Sequence, residues 1–416
     1  MHAKRDFSDC VRLLALGLFN NYDNHISTKV LLKAQKPYSR AVVFDKHSLF
    51  GSLHCASAFG IVEIVASLVK VEGYDVNQKD CVDGTPLMWA ASNGHEGAVE
   101  ILLRQDDINP DEPDIYSQTP LFCAARNGHE GVVKVLLGRN DVNPDRPSNS
   151  GQTPLCCAAE NGHERVVKVL LGRGGVAPEK PDNCGRTPLW YAARHGHKGV
   201  VRTLLRRDDV HPNKQDNDGQ TPLCCAARHG HEGVVRTLLG RDDVHPDKSD
   251  NGGQTPLCYG AWNGHEGVVK VLLKQDDVSS GRPDNRGRTP LSYAAQSGRE
   301  GVVNILVGRD DVNPNKQDND GRTPLCFAAA RHGHEGVVRT LLERDDVSSD
   351  LPDNRGRTPL SYAALSGNEG VVKILLGRDG VNPNKQDNDG RTPLRWAVHR
   401  GHAGVVALLQ PRGLQI

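Results

Sequence analysis

Apolar residues along this chain fall into blocks separated by polar stretches, and each block carries two helical stripes. One block reads Thr221, Pro222, Leu223, Cys224, Cys225, Ala226, Ala227, Arg228, His229, Gly230 and His231, then continues through Val234 and Val235 to Leu238 and Leu239. Leu223, Ala226 and Ala227 stand at i, i+3 and i+4, which is one face of a short helix. Val234, Val235, Leu238 and Leu239 form the stripe of a second helix. The Thr221 hydroxyl suits an N-cap, and Pro222 suits the first helical position, where its missing N–H costs nothing. Gly230 suits a left-handed C-cap. The polar stretch Arg241–Gly253 then leads to the next block. The pattern predicts a pair of helices followed by an exposed loop.

The block recurs with its threonine at 85, 119, 153, 187, 221, 255, 289, 323, 358 and 392, a spacing of 34 residues broken only by 35 between Thr323 and Thr358. A fixed period of this size means a stacked solenoid, because neither helix buries its stripe alone and stacked neighbours do. A degenerate first copy starts at Gly51, with Leu53, His54, Cys55 and Ala56, Gly60, and the stripe Ile61, Val62, Ile64, Val65 and Leu68. The expected array therefore has eleven repeats over residues 51–416, starting near 51, 85, 119, 153, 187, 221, 255, 289, 323, 358 and 392. Residues 1–50 are expected to form a helical N-terminal cap, with helices over Ser8–Phe19 and Ser27–Ala34. The stretch Cys326–His332 holds one alanine more than its copy at Cys224, which predicts a distortion at Ala328–Ala330. No polar capping helix follows Leu409, so the eleventh repeat is expected either to leave part of its apolar face exposed or to have been followed by more protein. The identical runs Asn213–Gly219, Asn315–Gly321 and Asn384–Gly390 indicate internal duplication.

This string closely resembles the ankyrin repeat over roughly nine-tenths of the chain. The resemblance implies an all-α solenoid with two antiparallel helices and a protruding loop in each unit. It also implies a non-catalytic module that recognises a protein through a concave groove and its loop tips. Two departures are visible. The histidine that the family carries after Thr-Pro-Leu is replaced by Met88, Phe122, Cys156, Trp190, Cys224, Cys258, Ser292, Cys326, Ser361 and Arg395, and its Gly-Ala-Asp is here mostly Arg-Asp-Asp, as at Arg207–Asp209. More narrowly, Asn20–Ala34 and Leu53–Gly94 resemble the junction before the ankyrin array of fungal NACHT-type signalling NTPases. That implies the ligand-sensing end of such a receptor, without its NTPase, because no phosphate-binding Gly-x-x-x-x-Gly-Lys-Ser/Thr occurs in the chain.

In the ankyrin family the two residues after Ala-Ala face the groove. Here the partner-binding candidates are Arg126, Asn127, Glu160, Asn161, Arg194, His195, Arg228, His229, Trp262, Asn263, Arg331, His332, His399 and Arg400, joined by the residues before the threonines, Arg186, Arg288, Arg322, Arg357 and Arg391. Their chemistry varies while the framework does not, and Arg and Trp are favoured interface anchors. The bland reading leaves each of them merely solvated. The bias toward Arg and His predicts a partner of acidic character.

Composition narrows the remaining classes. Lys+Arg and Asp+Glu both number 51, so the net charge is zero, which argues against a general nucleic-acid role. RNA is a weaker alternative, with little aromatic stacking to support it. No apolar run reaches transmembrane length and no signal peptide is visible. None of the eleven cysteines forms Cys-x-x-Cys, which argues for free thiols in a reducing, cytoplasmic or nuclear compartment. Cys224, Cys225, His229 and His231 lie close together, but adjacent helical residues point about 100° apart, so a shared metal ion is not expected. Catalysis is not expected either, since every cysteine–histidine set recurs in register and none is singular. No cofactor is implied. A monomeric array, or a structural spacer with an unused groove, completes the alternatives.

Overall fold

A computed structural model describes residues 51–331 and 334–410. The cap expected at residues 1–50 and the candidate His332 lie outside the described residues. Among these there are 22 helices and no strand, running as eleven consecutive pairs from Ser52–Phe59 with Val62–Leu68 to Pro393–Arg400 with Ala403–Leu409. Each pair contributes a leucine, small residues and a valine–leucine stripe to the interior. In the copy quoted above, Leu223, Ala226, Ala227, Val234, Val235 and Leu238 are all essentially inaccessible to solvent. Burying a Val or Leu side chain is worth about 1.5–3 kcal/mol, and here that burial is supplied by the neighbouring repeats.

The start of each first helix is as the residues require. Thr85, Thr119, Thr153, Thr221, Thr255, Thr289, Thr323, Thr358 and Thr392 are N-caps whose hydroxyls accept the backbone N–H three residues on, each followed by proline at the first helical position. The helices are short, as in Pro222–Arg228, and the chain reverses at Gly230, with φ 77°.

The described residues divide into two compact units, one within residues 51–192 and 202–211, the other within residues 193–201 and 212–410. Within each, three kinds of hydrogen bond join consecutive repeats. The first uses the histidine after the turn glycine, whose Nε2 meets a carbonyl oxygen of the preceding repeat. In the first unit these pairs are His95 with Ala58 at 3.0 Å, and His129 with Ser92 and His163 with Arg126 at 2.9 Å. In the second, His231 meets Arg194 at 2.9 Å and His265 meets Arg228 at 3.1 Å. Where histidine is replaced, another donor serves. Arg299 Nε donates to Trp262 O at 3.2 Å, and Asn368 Nδ2 to Arg331 O at 3.1 Å.

The second bond lies at the loop tips and is an asparagine ladder. In the second unit Asn251, Asn285, Asn319, Asn354 and Asn388 each donate Nδ2–H to the carbonyl of the residue one repeat earlier, all at 3.0 Å. The glycine two residues beyond each such position lets the next asparagine approach. Gly253 has φ 81°, and a Cβ there would come within 2.6 Å of Asn285 Oδ1.

The third bond gives the Arg-Asp-Asp departure its physical role. Arg139, Arg207, Arg309 and Arg344 donate Nη1–H to the carbonyls of Leu103, Leu171, Leu273 and Val307, which lie at the ends of the preceding second helices. The aspartate two residues on holds each guanidinium, as Asp141 holds Arg139 at 2.6 Å. A cation is thereby placed at a helix C-terminus, where the macrodipole favours it.

The missing family histidine is present once, as His54, whose Nε2 lies 3.1 Å from Gly84 O while its Nδ1 accepts Gly51 N–H. In other repeats a weaker thiol bond takes its place, from Cys156 Sγ to Lys180 O at 3.6 Å and from Cys224 Sγ to Lys248 O at 3.7 Å. The extra alanine changes the end of its helix rather than its middle. Pro324–Ala329 is one residue shorter than Pro222–Arg228. Bonding stays i→i−4 through Ala330 N to Cys326 O and turns to i→i−3 at Arg331 N to Ala328 O, so the irregularity falls just beyond the expected segment. In the last pair Val398 is 59% exposed.

The ladder leads to a stability prediction. Gly253→Ala combines a left-handed backbone with a collision, and is expected to lower stability by about 1–2 kcal/mol or more in urea denaturation. The same change at Gly380, also left-handed at φ 85° but with nothing within 4 Å, is expected to cost less. Equal losses at the two sites would remove the collision as the cause.

Candidate partner-binding surface

Where an arginine precedes the threonine, it belongs to a network inside its own repeat. Five residues before the threonine stands an aspartate that closes the loop turn. Asp353 Oδ1 accepts the N–H groups of Arg355 and Arg357 at 2.9 and 2.8 Å. Its Oδ2 accepts Tyr362 Oη–H at 2.6 Å and the Arg357 guanidinium at 2.9 Å. The guanidinium of Arg357 lies 4.8 Å from the centroid of the Tyr362 ring. Four other candidates repeat the arrangement. Arg186 pairs with Asp182 over Tyr191, Arg288 with Asp284 over Tyr293, and Arg322 with Asp318 over Phe327, while Arg391 lies over Trp396 and pairs with Asp389. These five arginines are therefore compensated within their own repeats.

Burial alone would push the Asp353 carboxyl up. The bonds from the Tyr362 hydroxyl, the Arg357 backbone and the Arg357 guanidinium outweigh burial and hold it below the usual carboxylate range. The same balance holds Asp182 down. The tyrosine hydroxyls are displaced the other way, since burial and the adjacent carboxylate both push Tyr362 up.

The residues at the ends of the first helices fall into two groups. The asparagines and some neighbours finish the helix or bond across to the previous repeat. Asn127 Nδ2 donates to Ser92 O at 2.8 Å, Asn161 Nδ2 to Cys157 O at 2.9 Å and Asn263 Nδ2 to Tyr259 O at 3.0 Å. His229 Nδ1 lies 3.0 Å from Cys225 O, and Glu160 accepts from Gln152 at 3.0 Å. Arg126 is half-buried, bonded to Gln118 and lying over Phe122. His195 stacks on His197, and His399 sits edge-on to Trp396.

The other group faces solvent. Trp262 is 43% exposed, and its ring stacks on Tyr293 of the next repeat with centroids 5.2 Å apart and planes 23° apart. Arg228, exposed one repeat earlier, lies 5.6 Å over the Tyr259 ring and has no carboxylate partner among the described residues. Arg400, near the end of Pro393–Arg400, is likewise exposed without a carboxylate partner there. Arg228 and Trp262 thus form one exposed patch in the second unit, backed by the buried rings of Tyr259 and Tyr293, with the guanidinium outside any ion pair among the described residues. Sequence reasoning found Arg228 and Trp262 but missed the two tyrosines. Their signal was the aspartate nine residues before each, Asp250 and Asp284, which accepts the phenolic O–H at 2.6 and 2.5 Å.

The cysteine–histidine sets do not converge. Cys224 Sγ turns to Lys248 O, while Cys225 Sγ turns to Gln220 Oε1 at 3.8 Å. Burial pushes the thiols of Cys156, Cys224, Cys258 and Cys326 up to about 11, which suppresses the thiolate that nucleophilic chemistry needs. Among the described residues no group of three or more His, Cys, Asp and Glu is placed to hold a metal ion, and no helix is long and apolar enough to cross a membrane.

The fold and the bonds between its repeats define a stacked helix-pair protein. A family model described as ankyrin repeats (3 copies) matches residues 53–147, 139–216, 209–282, 291–387 and 345–416, and the chain belongs to the ankyrin-repeat family. Ankyrin repeats generally act as protein–protein interaction modules and generally are not enzymes. Compared as a whole with curated proteins, the chain matches none.

Asp353 yields a pH prediction. A carboxyl held below its unfolded value near 3.9 stabilises the fold above that pH, and the contribution disappears as pH falls through the folded value. Asp353→Asn keeps a turn acceptor and removes the charge. It is expected to cost about 1.5–3 kcal/mol at pH 7 and much less near pH 3, measured by urea denaturation at both. A cost independent of pH would assign the effect to turn geometry alone.

Proposed function

We propose that this chain is a protein-recognition module that captures an acidic partner segment on the ends of its first helices, centred on Arg228 and Trp262. The observation that supports this most is the contrast between the two classes of arginine. Arg186, Arg288, Arg322 and Arg357 are held by carboxylates of their own repeats, whereas Arg228 lies over an aromatic ring and forms no ion pair with a carboxylate among the described residues. A desolvated carboxylate of the partner would complete that cation. The exposed face of Trp262 would take an apolar side chain next to it. Large aromatic and arginine side chains carry most of the energy at such surfaces. His229, Arg331, His332, His399 and Arg400 extend the same basic bias, and the module works as a monomer inside the cell. The resemblance of Leu53–Gly94 to NACHT-type receptors favours a narrower setting, in which the segment recognised is the signal sensed by an NTPase; a phosphate-binding motif encoded upstream of Met1 would support it.

The test is affinity capture from lysate by the intact chain and by Arg228→Ala with Trp262→Ala. A partner held by this patch is expected to bind at least 30-fold more weakly to the double variant, about 2 kcal/mol, and to weaken further as salt is raised. The variant is expected to stay folded, with an unfolding midpoint lowered only by the lost packing of Trp262 on Tyr293. Equal capture by both proteins would remove this patch from the binding surface.

A further inference from the structure

We infer that the second and third loop tips of the first unit form a separate interaction surface, built to receive a polypeptide segment that combines apolar side chains with lysine or arginine. This goes beyond the Arg228–Trp262 patch and rests only on the reading of the chain as a binding module.

The inference starts from where the chain breaks its own rule. From Asn149 onward, each loop tip carries asparagine four residues before the threonine and glycine two residues before it. At the second and third repeats those positions hold Cys81 with Asp83, and Ile115 with Ser117. The backbone ladder is kept, with Ile115 N–H donating to Val82 O at 3.1 Å and Asn149 N–H to Tyr116 O at 2.9 Å. The side-chain rung from the third tip back to the second is lost, although Asn149 Nδ2 still donates to Ile115 O at 3.0 Å and Ser117 Oγ to Asn149 Oδ1 at 2.5 Å, and apolar groups stand where the asparagine would be. Ile115 is 49% and Tyr116 53% exposed, beside exposed Cys81 and partly exposed Val82.

Two costs accompany this exchange. Asp83 and Ser117, at φ 60° and 58°, are the non-glycine residues with positive φ among the described residues. Both sit at positions where the other tips use glycine. A left-handed residue with a Cβ is unfavourable by roughly 1–2 kcal/mol, and exposed Ile and Tyr gain nothing from burial. Strain and exposure coincide at one place and are absent from the later tips. That combination marks a surface kept for contact rather than for folding.

The surrounding charge sets the partner's chemistry. Asp83, Glu112 and Asp114, all partly exposed, flank the tips, while Asp80 is buried beneath them as a turn acceptor for Val82, Gly84 and Trp89. The cation among them, Lys79, is bound to Glu112 at 2.6 Å and lies 3.9 Å from Asp83. Burial pushes the Asp114 carboxyl above the usual range, and the charges of Asp80 and Asp83 push it the same way, as an accumulation of negative charge requires. An apolar surface with an acidic rim favours a segment whose apolar side chains cover Ile115 and Tyr116 while its cations meet the rim.

The test replaces the third tip with the form the chain uses elsewhere, Ile115→Asn with Tyr116→Asp and Ser117→Gly. Random peptides displayed on phage are selected on the parent, on this tip variant, and on the Arg228→Ala, Trp262→Ala variant. The expected result is a set of peptides, rich in Lys or Arg beside apolar residues, that binds the parent and the Arg228–Trp262 variant and loses at least tenfold in affinity for the tip variant. The tip variant is expected to melt at least as high as the parent, because the added asparagine rung and the relief of a left-handed serine outweigh the exposed Ser117–Asn149 side-chain bond that it removes. A lower melting temperature would make the apolar tip a folding element and overturn the inference. So would tip-dependent peptides that are acidic, or the lack of any tip-dependent peptide. Peptides lost only on the Arg228–Trp262 variant would bear on the function proposed above and leave the tip inference overturned by itself.

Discussion

Each unit depends on one repeated hydrogen bond, from the side chain that follows the turn glycine to a carbonyl at the end of the previous repeat's first helix. A short helix leaves its last carbonyls without intrahelical partners, and helices of the length of Pro222–Arg228 expose a large fraction of such groups. Stacking hides them from water, so each needs a donor from within the protein. The imidazoles of His129, His231 and His265 supply it, and the substitutions at Arg299 and Asn368 keep a donor in place. The apolar stripes give the repeats a reason to associate, and this bond fixes the register in which they do so. A stripe of valine and leucine would accept a neighbour displaced along the helix, whereas a carbonyl with a single nearby donor does not.

The same accounting governs charge. The loop turns need an acceptor for two backbone N–H groups, and aspartate provides it at Asp182, Asp250, Asp284, Asp318 and Asp353. Burying those carboxylates is unfavourable unless they are hydrogen-bonded or paired with a cation. A tyrosine hydroxyl at four of these sites and an arginine guanidinium at the same or neighbouring ones perform that task. The arginines are thereby drawn into the repeat. Arg228 stands outside this arrangement: glutamine, Gln220, precedes the threonine of its repeat, and the Arg228 guanidinium lies over the Tyr259 ring of the next repeat.

Much of this was legible in the residues. The period located all the helix pairs, and Thr-Pro and Gly located their ends, because caps act over one turn and need no tertiary information. The role of the arginines was not legible from the same pattern. Their partners lie in loops without apolar periodicity, so Arg357 looks the same on paper whether Asp353 holds it or solvent surrounds it. The stacking of Trp262 on Tyr293 crosses a repeat boundary and depends on the rotation between neighbours, which no single repeat encodes. The helix containing the extra alanine shows the opposite limit. The insertion was visible, but whether it bulged the helix or shortened it was decided by the cap and the packing at its end.

A repeat protein carries its own internal standard, and that makes departures informative in a way a single globular domain does not allow. When the same slot is filled ten times, a residue that differs must either solve a local problem or serve something outside the fold. Ser292 and Ser361 solve a local problem, closing a capping box with Thr289 and Thr358. Arg299 solves another by bonding to Trp262 O. Ile115 and Tyr116 solve none, because the backbone ladder passes through them unchanged and their side chains point to water. Trp262 lies between these cases. It packs on Tyr293, yet 43% of its surface remains open. By this criterion the candidate sites of recognition are the positions where the internal pattern is broken with little return in hydrogen bonding or burial.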